Sequence, residues 1–320
     1  MSPSFSRQPG DSFLLFHSLP FDFSQDPPFA VGPGVFLENT PHDVLQGADP
    51  SALADYVLPG YNLPGHGTSN CCLRCSGSEA RRLGREATDL LFIALTAFRL
   101  HAPLGIEVAG QFELGHQDDQ IAQPTLYEIC SPWQPDANAH YSGTDLGVVA
   151  DIAARWMHIG QAGLTRLISA GILFAQVSCG HSKSLQMAYL ALFAALDALF
   201  VPQGNKARTL ARRVGDFLSR FPFPDSLNDW VEREYEQGRN NLAHGVQQDV
   251  VPWTRTRNPR VEAFGRLHEI TRLSLLGFFS LDDQKLEALS SQSGTRLRSE
   301  LDNLGQAIGR YIDGQRFWCS

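Results

Sequence analysis

Apolar residues recur at helical spacing over Glu79 to Leu100, where Leu83, Ala87, Leu90, Leu91, Ala94, Leu95 and Phe98 share one face of a 3.6-residue repeat. The pattern predicts a single helix there, ending near Arg99 to His101 because Pro103 opposes continuation. Before it, Met1 to about Asn70 is rich in Pro, Gly, Phe and Asp. Short apolar pieces such as Phe13 to Phe16 and Val35 to Leu37 lie between turn formers. Short strands and loops are expected, with one or two helical turns at Asp49 to Tyr56. Leu104 to Phe112 and Thr125 to Cys130 alternate loosely, as strands would. The polar, turn-rich run Ser131 to Gly143 predicts a domain boundary, so residues 1–140 read as an N-terminal α+β domain.

From Leu146 the period is helical almost throughout. Leu146 to Ile159 and Leu164 to Val177 predict a long helix or a broken pair, with Gly160 and Gly163 as the weak point. Ser182 is the expected cap of Ser184 to Phe200, which Val201-Pro202-Gln203-Gly204 ends. Asn205 to Phe221 follows and stops at two prolines. Asp225 or Ser226 is the expected cap of the next helix, and Gly245 sits where a left-handed residue commonly closes one. Pro259 to Phe279 and Asp282 to Tyr311 complete an all-α helical bundle of about six helices over residues 145–320.

Composition narrows the function classes. With 43% hydrophobic and 19% charged residues over 320 positions, the chain has material for two cores and is not a disordered polymer. A formal charge of −8 argues against a surface coated for indiscriminate nucleic-acid binding, though not against a local basic face. Six cysteines without dense even spacing predict reduced thiols in a cytoplasm. Arg7 and Asp11 precede a short apolar group rather than a long one, so export is not expected. Leu164 to Val177, the most apolar window, is shorter than the roughly 20 residues of a membrane span and predicts a core helix.

The chemistry concentrates at Glu234 to Gly245, EYEQGRNNLAHG. Arg239 brings a guanidinium, Asn240 adds an amide, and five positions on His244 brings an imidazole, the side-chain type most used for general acid–base work. Taken alone, Arg-x4-His has an ordinary structural reading in which both cations stabilise a helix C-terminus. Its setting adds to it: ALDALF (Ala195 to Phe200), LARRV (Leu210 to Val214) and RNNLAHG (Arg239 to Gly245) succeed one another on three helices. In that order they resemble the HEPN superfamily of small helical bundles, particularly the Apea-like HEPN group of bacterial defence proteins. The resemblance covers roughly the C-terminal half, from about Asp145.

The resemblance implies a HEPN-like bundle acting as a metal-independent RNA endonuclease, a toxin or antiphage effector, with no cofactor. In such enzymes the motif helices of two protomers meet across a two-fold axis. His244 would be the general base or acid, Arg239 would hold the scissile phosphate, and Asn240 would orient the phosphate or the imidazole. Single-stranded RNA would be left with 2′,3′-cyclic phosphate ends. The partners implied are RNA, a second copy of the chain, and a regulatory partner or phage-derived trigger, with no membrane. The alternative is a non-catalytic HEPN module that binds nucleotide, RNA or protein and dimerises.

Where the family usually carries glutamate, this chain has Asp197. In its apolar helix that carboxylate needs a partner, and Arg213 on the next helix is the expected one. Lys206, Arg208 and Arg212 are candidate RNA-phosphate contacts, with Arg220, Arg255, Arg257, Arg260 and Arg266 as further cations; a solvated helix face accounts for them equally well. Cys72-Leu73-Arg74-Cys75, with Cys71 and His66 nearby, is an incomplete zinc pattern, and free thiols in a loop are the expectation. No metal site is predicted. Neither HExxH, GxxxxGK[ST] nor a nucleophile elbow occurs, so metalloprotease, P-loop and hydrolase readings lack support.

Overall fold

A computed structural model describes residues 8, 10–18, 27–39, 71–102, 107–113, 125–126, 142–178, 184–201, 207–244 and 259–315. The expectations for Asp49 to Tyr56, His66, Ser182, Lys206, Gly245, Arg255 and Arg257 lie outside them. The chain carries an antiparallel sheet with helices first and, among the described residues, helices alone thereafter. It divides into two compact units, Met1–Ile129 with Asp136–Ala154, and Cys130–Pro135 with Arg155–Ser320.

In the first unit the short apolar pieces become strands. They are β1 (Ser12–Ser18), β2 (Phe29–Gly32), β3 (Val35–Asn39), β4 (Cys71–Cys75), β5 (Glu107–Glu113) and β6 (Thr125–Leu126), ordered β2-β3-β4-β1-β5-β6. Helix α1 (Gly77–Arg82) follows β4, and α2 (Ala87–His101) packs on the sheet through Leu90, Leu91, Ala94 and Phe98. The single helix expected over Glu79 to Leu100 is thus two. Gly84 adopts φ +63°, a left-handed conformation that ends α1 and that a side chain would strain.

CLRC is no loop. It is β4, hydrogen-bonded on both sides, to β1 and β3. Its cysteines are free thiols, three positions apart in a strand and hence on opposite faces, which no shared ion can bridge. Burial, then the Asp11 charge, pushes the Cys75 thiol up to about 12, so it stays protonated at neutral pH. Arg74 between them donates to Asp11 at 3.2 Å and Glu38 at 2.9 Å, while Asp11 also accepts the Gly77 amide at 3.0 Å. The segment is therefore a polar clasp joining β1, β3, β4 and the start of α1.

The helices from α3 (Gly143–Gln161) onward follow the apolar periodicity closely; α3 itself is divided between the units, up to Ala154 in the first and from Arg155 in the second, to which the later helices belong. Gly163, at φ +72°, separates α3 from α4 (Thr165–Ser178). Next come α5 (Leu185–Phe200), α6 (Ala207–Phe217) and α7 (Leu227–Arg233). Ser184 caps α5, accepting the Met187 amide at 3.4 Å. After the motif come α9 (Pro259–Phe279), α10 (Asp283–Ser291) and α11 (Gly294–Asp302); the last helix expected from Asp282 to Tyr311 is broken where Gly294 takes φ +56°. Phe200 packs edge to face on Phe217 and Phe278, which meet each other at a tilt, with centroids 5.2–5.5 Å apart, joining α5, α6 and α9.

Helix α9 is enclosed over most of its length and also carries buried polar groups. Glu269 and Arg272, both fully buried, form a two-pronged pair at 2.6 and 2.8 Å, and Arg272 also reaches Gln315 at 2.9 Å. His268 shares a 2.8 Å hydrogen bond with Ser178 of α4. Among the described residues no helix is long and apolar enough to cross a membrane.

Candidate functional site

The Arg-x4-His motif lies at the end of one continuous helical run. Ser226 caps α7 by accepting the Asp229 amide at 3.4 Å. A π-helical turn, Glu234–Arg239, then leads into the short α8 (Asn240–Ala243), and His244 closes it. The π register is explicit, since the Asn240 amide donates to the carbonyl of Tyr235, five residues back. Such turns inserted in α-helices are concentrated at functional sites.

A stripe on α5 positions this turn. Tyr189, Phe193 and Asp197 are four residues apart and share a face. Tyr189 donates to Glu234 Oε2 at 2.7 Å, and Arg260 of α9 donates to the same oxygen at 2.9 Å. Phe193 meets the Tyr189 and Tyr235 rings edge to face at 5.1 and 5.5 Å. Asp197 Oδ2 accepts the Tyr235 hydroxyl at 3.1 Å. Gly238 is enclosed between these groups: a Cβ there would sit 2.9 Å from Glu234 Oε2 and closer still to the Tyr189 hydroxyl.

Arg239 emerges from this base in one orientation. Its guanidinium lies 4.9 Å over the Tyr235 ring, and Nη1 donates to Asn240 Oδ1 at 3.0 Å. Among the described residues it has no carboxylate within ion-pair distance. Its charge is nonetheless felt: burial raises the Asp197 carboxyl above its ordinary value, opposed by the Tyr235 hydrogen bond and then by Arg239. Burial and the Asp197 charge raise the Tyr235 phenol in turn. His244 is exposed, and its side chain makes no hydrogen bond or ion pair among the described residues.

The expected partnership of Asp197 with Arg213 is not found. Asp197 turns toward the motif helix, whereas Arg213 donates to Asp302 at 2.9 Å and to the carbonyls of Phe200 and Arg298. Arg213 thus satisfies the last turn of α5, and the aspartate it pairs with belongs to α11. Asn240 orients the arginine side chain before it. Of the candidate phosphate contacts, Arg208 is exposed with no partner among the described residues, whereas Arg212 is engaged by Asp302 and by Asp216 at 3.7 Å. Arg260 belongs to the Glu234 cluster, and Arg266 is stacked 4.7 Å over Trp230 and paired with Asp225 at 3.0 Å.

Tyr189, Glu234 and Tyr235, to which the sequence assigns no role, complete the site together with Arg260, whose place in the Glu234 cluster differs from the phosphate contact expected of it. Only Tyr235 had a usable signal, lying four residues before Arg239 on a helix. Among the described residues no group of three or more His, Cys, Asp or Glu side chains is placed to hold a metal ion. Comparison with protein-family models, curated proteins and solved structures gave no significant match.

Proposed function

We propose that this chain is a metal-independent RNA endonuclease of HEPN type, a toxin or defence effector that works as a homodimer. The observation that carries the reading is Arg239: a guanidinium held by an aromatic face and an amide, with no ion-paired carboxylate among the described residues, five positions before an exposed histidine. That is what a phosphodiester site needs, because a cation already paired with carboxylate would have to exchange partners before holding phosphate.

In this reading Arg239 binds the non-bridging oxygens of the scissile phosphate. His244 takes the proton of the ribose 2′-hydroxyl as that oxygen attacks phosphorus, or donates a proton to the leaving 5′-oxygen. The bond to the 5′-oxygen breaks, leaving a 2′,3′-cyclic phosphate and a 5′-hydroxyl. Residues five apart on an ideal helix point about 140° apart, so one protomer does not aim both groups at a single atom. A two-fold pairing of motif helices supplies the second set.

The test is incubation of purified protein with single-stranded RNA in excess chelator, alongside Arg239→Ala/His244→Ala. Cleavage by the wild type alone, with cyclic-phosphate ends, is expected. Cleavage that survives His244→Ala, or a particle that stays monomeric at every concentration while cutting RNA, would overturn the site or its two-fold construction.

A further inference from the structure

The helical unit contains a cleft remote in sequence from the motif and independent of the nuclease reading. It is a half-open depression with a cavity volume of about 80 Å³, continuous with solvent. Its apolar wall is formed by Leu167, Leu199, Phe278, Leu286, Leu289 and Leu301, drawn from α4, α5, α9, α10 and α11. Most of these side chains belong to the buried core, so the wall is built on the packed interior.

One cation stands in this lining. Arg166, in the first turn of α4, is half-buried, and its guanidinium makes a single long bond, Nη2 to the carbonyl of Leu199 at 3.3 Å. Capping the end of α5 explains that bond but uses one of five donors. Among the described residues no carboxylate pairs with it. Asp302, on the helix that contributes Leu301 to the wall, is engaged by Arg212 and Arg213. Burial, followed by the Arg213 charge, disfavours the Arg166 cation, the direction an incoming anion would reverse.

We infer that this cleft binds a small amphipathic carboxylate, its head on the Arg166 guanidinium and its apolar body against the leucine wall. The geometry favours carboxylate over phosphate. A single guanidinium fork matches a planar carboxylate, whereas a phosphate dianion calls for a second free cation. The neighbouring Arg213 cannot be that cation, because Nε, Nη1 and Nη2 all donate within the fold.

Calorimetric titration of the full chain with octanoate, octanol, acetate and octyl phosphate separates the contributions. Octanoate is expected to bind tightest, because octanol lacks the head and acetate the body. Arg166→Gln should weaken octanoate about ten- to hundredfold, as loss of a charge-assisted bond does, while leaving octanol unchanged; Arg166→Lys should recover part of the loss. Octanol unchanged in Arg166→Gln also shows that this variant retains the cleft. Equal binding of octanol and octanoate, tighter binding of octyl phosphate, no binding at all, or octanoate affinity indifferent to Arg166→Gln would each overturn the assignment.

Discussion

Replacing Gly238 by alanine probes the base of the site with one methyl group. In an ordinary helix the change is favourable by about 1 kcal/mol, because glycine loses more backbone freedom on folding. Here the new Cβ would lie 2.9 Å from Glu234 Oε2 and 3.2 Å from Tyr189 Cζ, and nearer still to the hydroxyl joining them. Tyr189 is fully buried, its ring packed edge to face on Phe193. Overpacking of this kind costs about 1–3 kcal/mol, and loss of the Tyr189–Glu234 bond about 1.5–3 kcal/mol more if it breaks. The steric and hydrogen-bond losses exceed the propensity gain, leaving a net loss of roughly 2–4 kcal/mol. At about 2–4 °C per kcal/mol for a chain of this size class, thermal melting should fall by roughly 5–15 °C. Gly147 in α3, whose Cβ would meet nothing within 4 Å, supplies the control: Gly147→Ala should be neutral or slightly stabilising. Gly238→Ala should also cost less in a Tyr189→Phe background, where the obstructing hydroxyl is gone. If Gly238→Ala melts with the wild type, the described packing of the π turn is wrong.

Three further outcomes are expected. Tyr235→Phe keeps the ring under Arg239 but deprives Asp197 of its donor, so chemical denaturation should show a loss of about 1–2 kcal/mol with RNA cleavage largely retained; Tyr235→Ala should lose both. Because burial raises the folded carboxyl of Asp197 above its unfolded value, its contribution to stability is greatest below the unfolded value and declines as pH rises through the folded one. Asp197→Asn should therefore be more stable than the wild type at pH 8, with the gain disappearing under acid conditions; a pH-independent difference in unfolding free energy would refute this. Cys72 and Cys75, fully buried and with the Cys75 thiol at about 12, should resist an aromatic disulfide reagent in the native protein and react once it is unfolded.

The second unit was the more legible because helical periodicity reports one neighbour at a time. Pro259–Phe279 follows the apolar pattern at both ends, and Ser226 caps as the sequence suggests. Helix breaks were harder to read where a glycine sat inside an unbroken apolar period, as at Gly84 and Gly294. Partner choice between helices was not legible. Asp197 and Arg213 have compatible chemistry, but the rotation of α5 points the carboxylate at Tyr235 and leaves Arg213 to Asp302. Nor does local sequence announce a π turn, here one in which a buried glycine lies beside the Tyr189 hydroxyl. In the first unit, a strand flanked by two others reads much like a cysteine-bearing loop until its pairing is known.

Helix α9 lacks a clean division into an apolar side and a wet one, so hydrophobic contact alone would leave several rotational settings nearly equivalent. Its buried polar residues remove that freedom. Turning the helix by one residue would swing Glu269 and Arg272 away from Gln315 and part His268 from Ser178, stranding charges where water does not reach. The pair thus works as a key: it adds little net adhesion, yet it lets the central rod enter its lock in one azimuth, and Arg260, four residues before Phe264 on that rod, is thereby delivered to Glu234 under the motif.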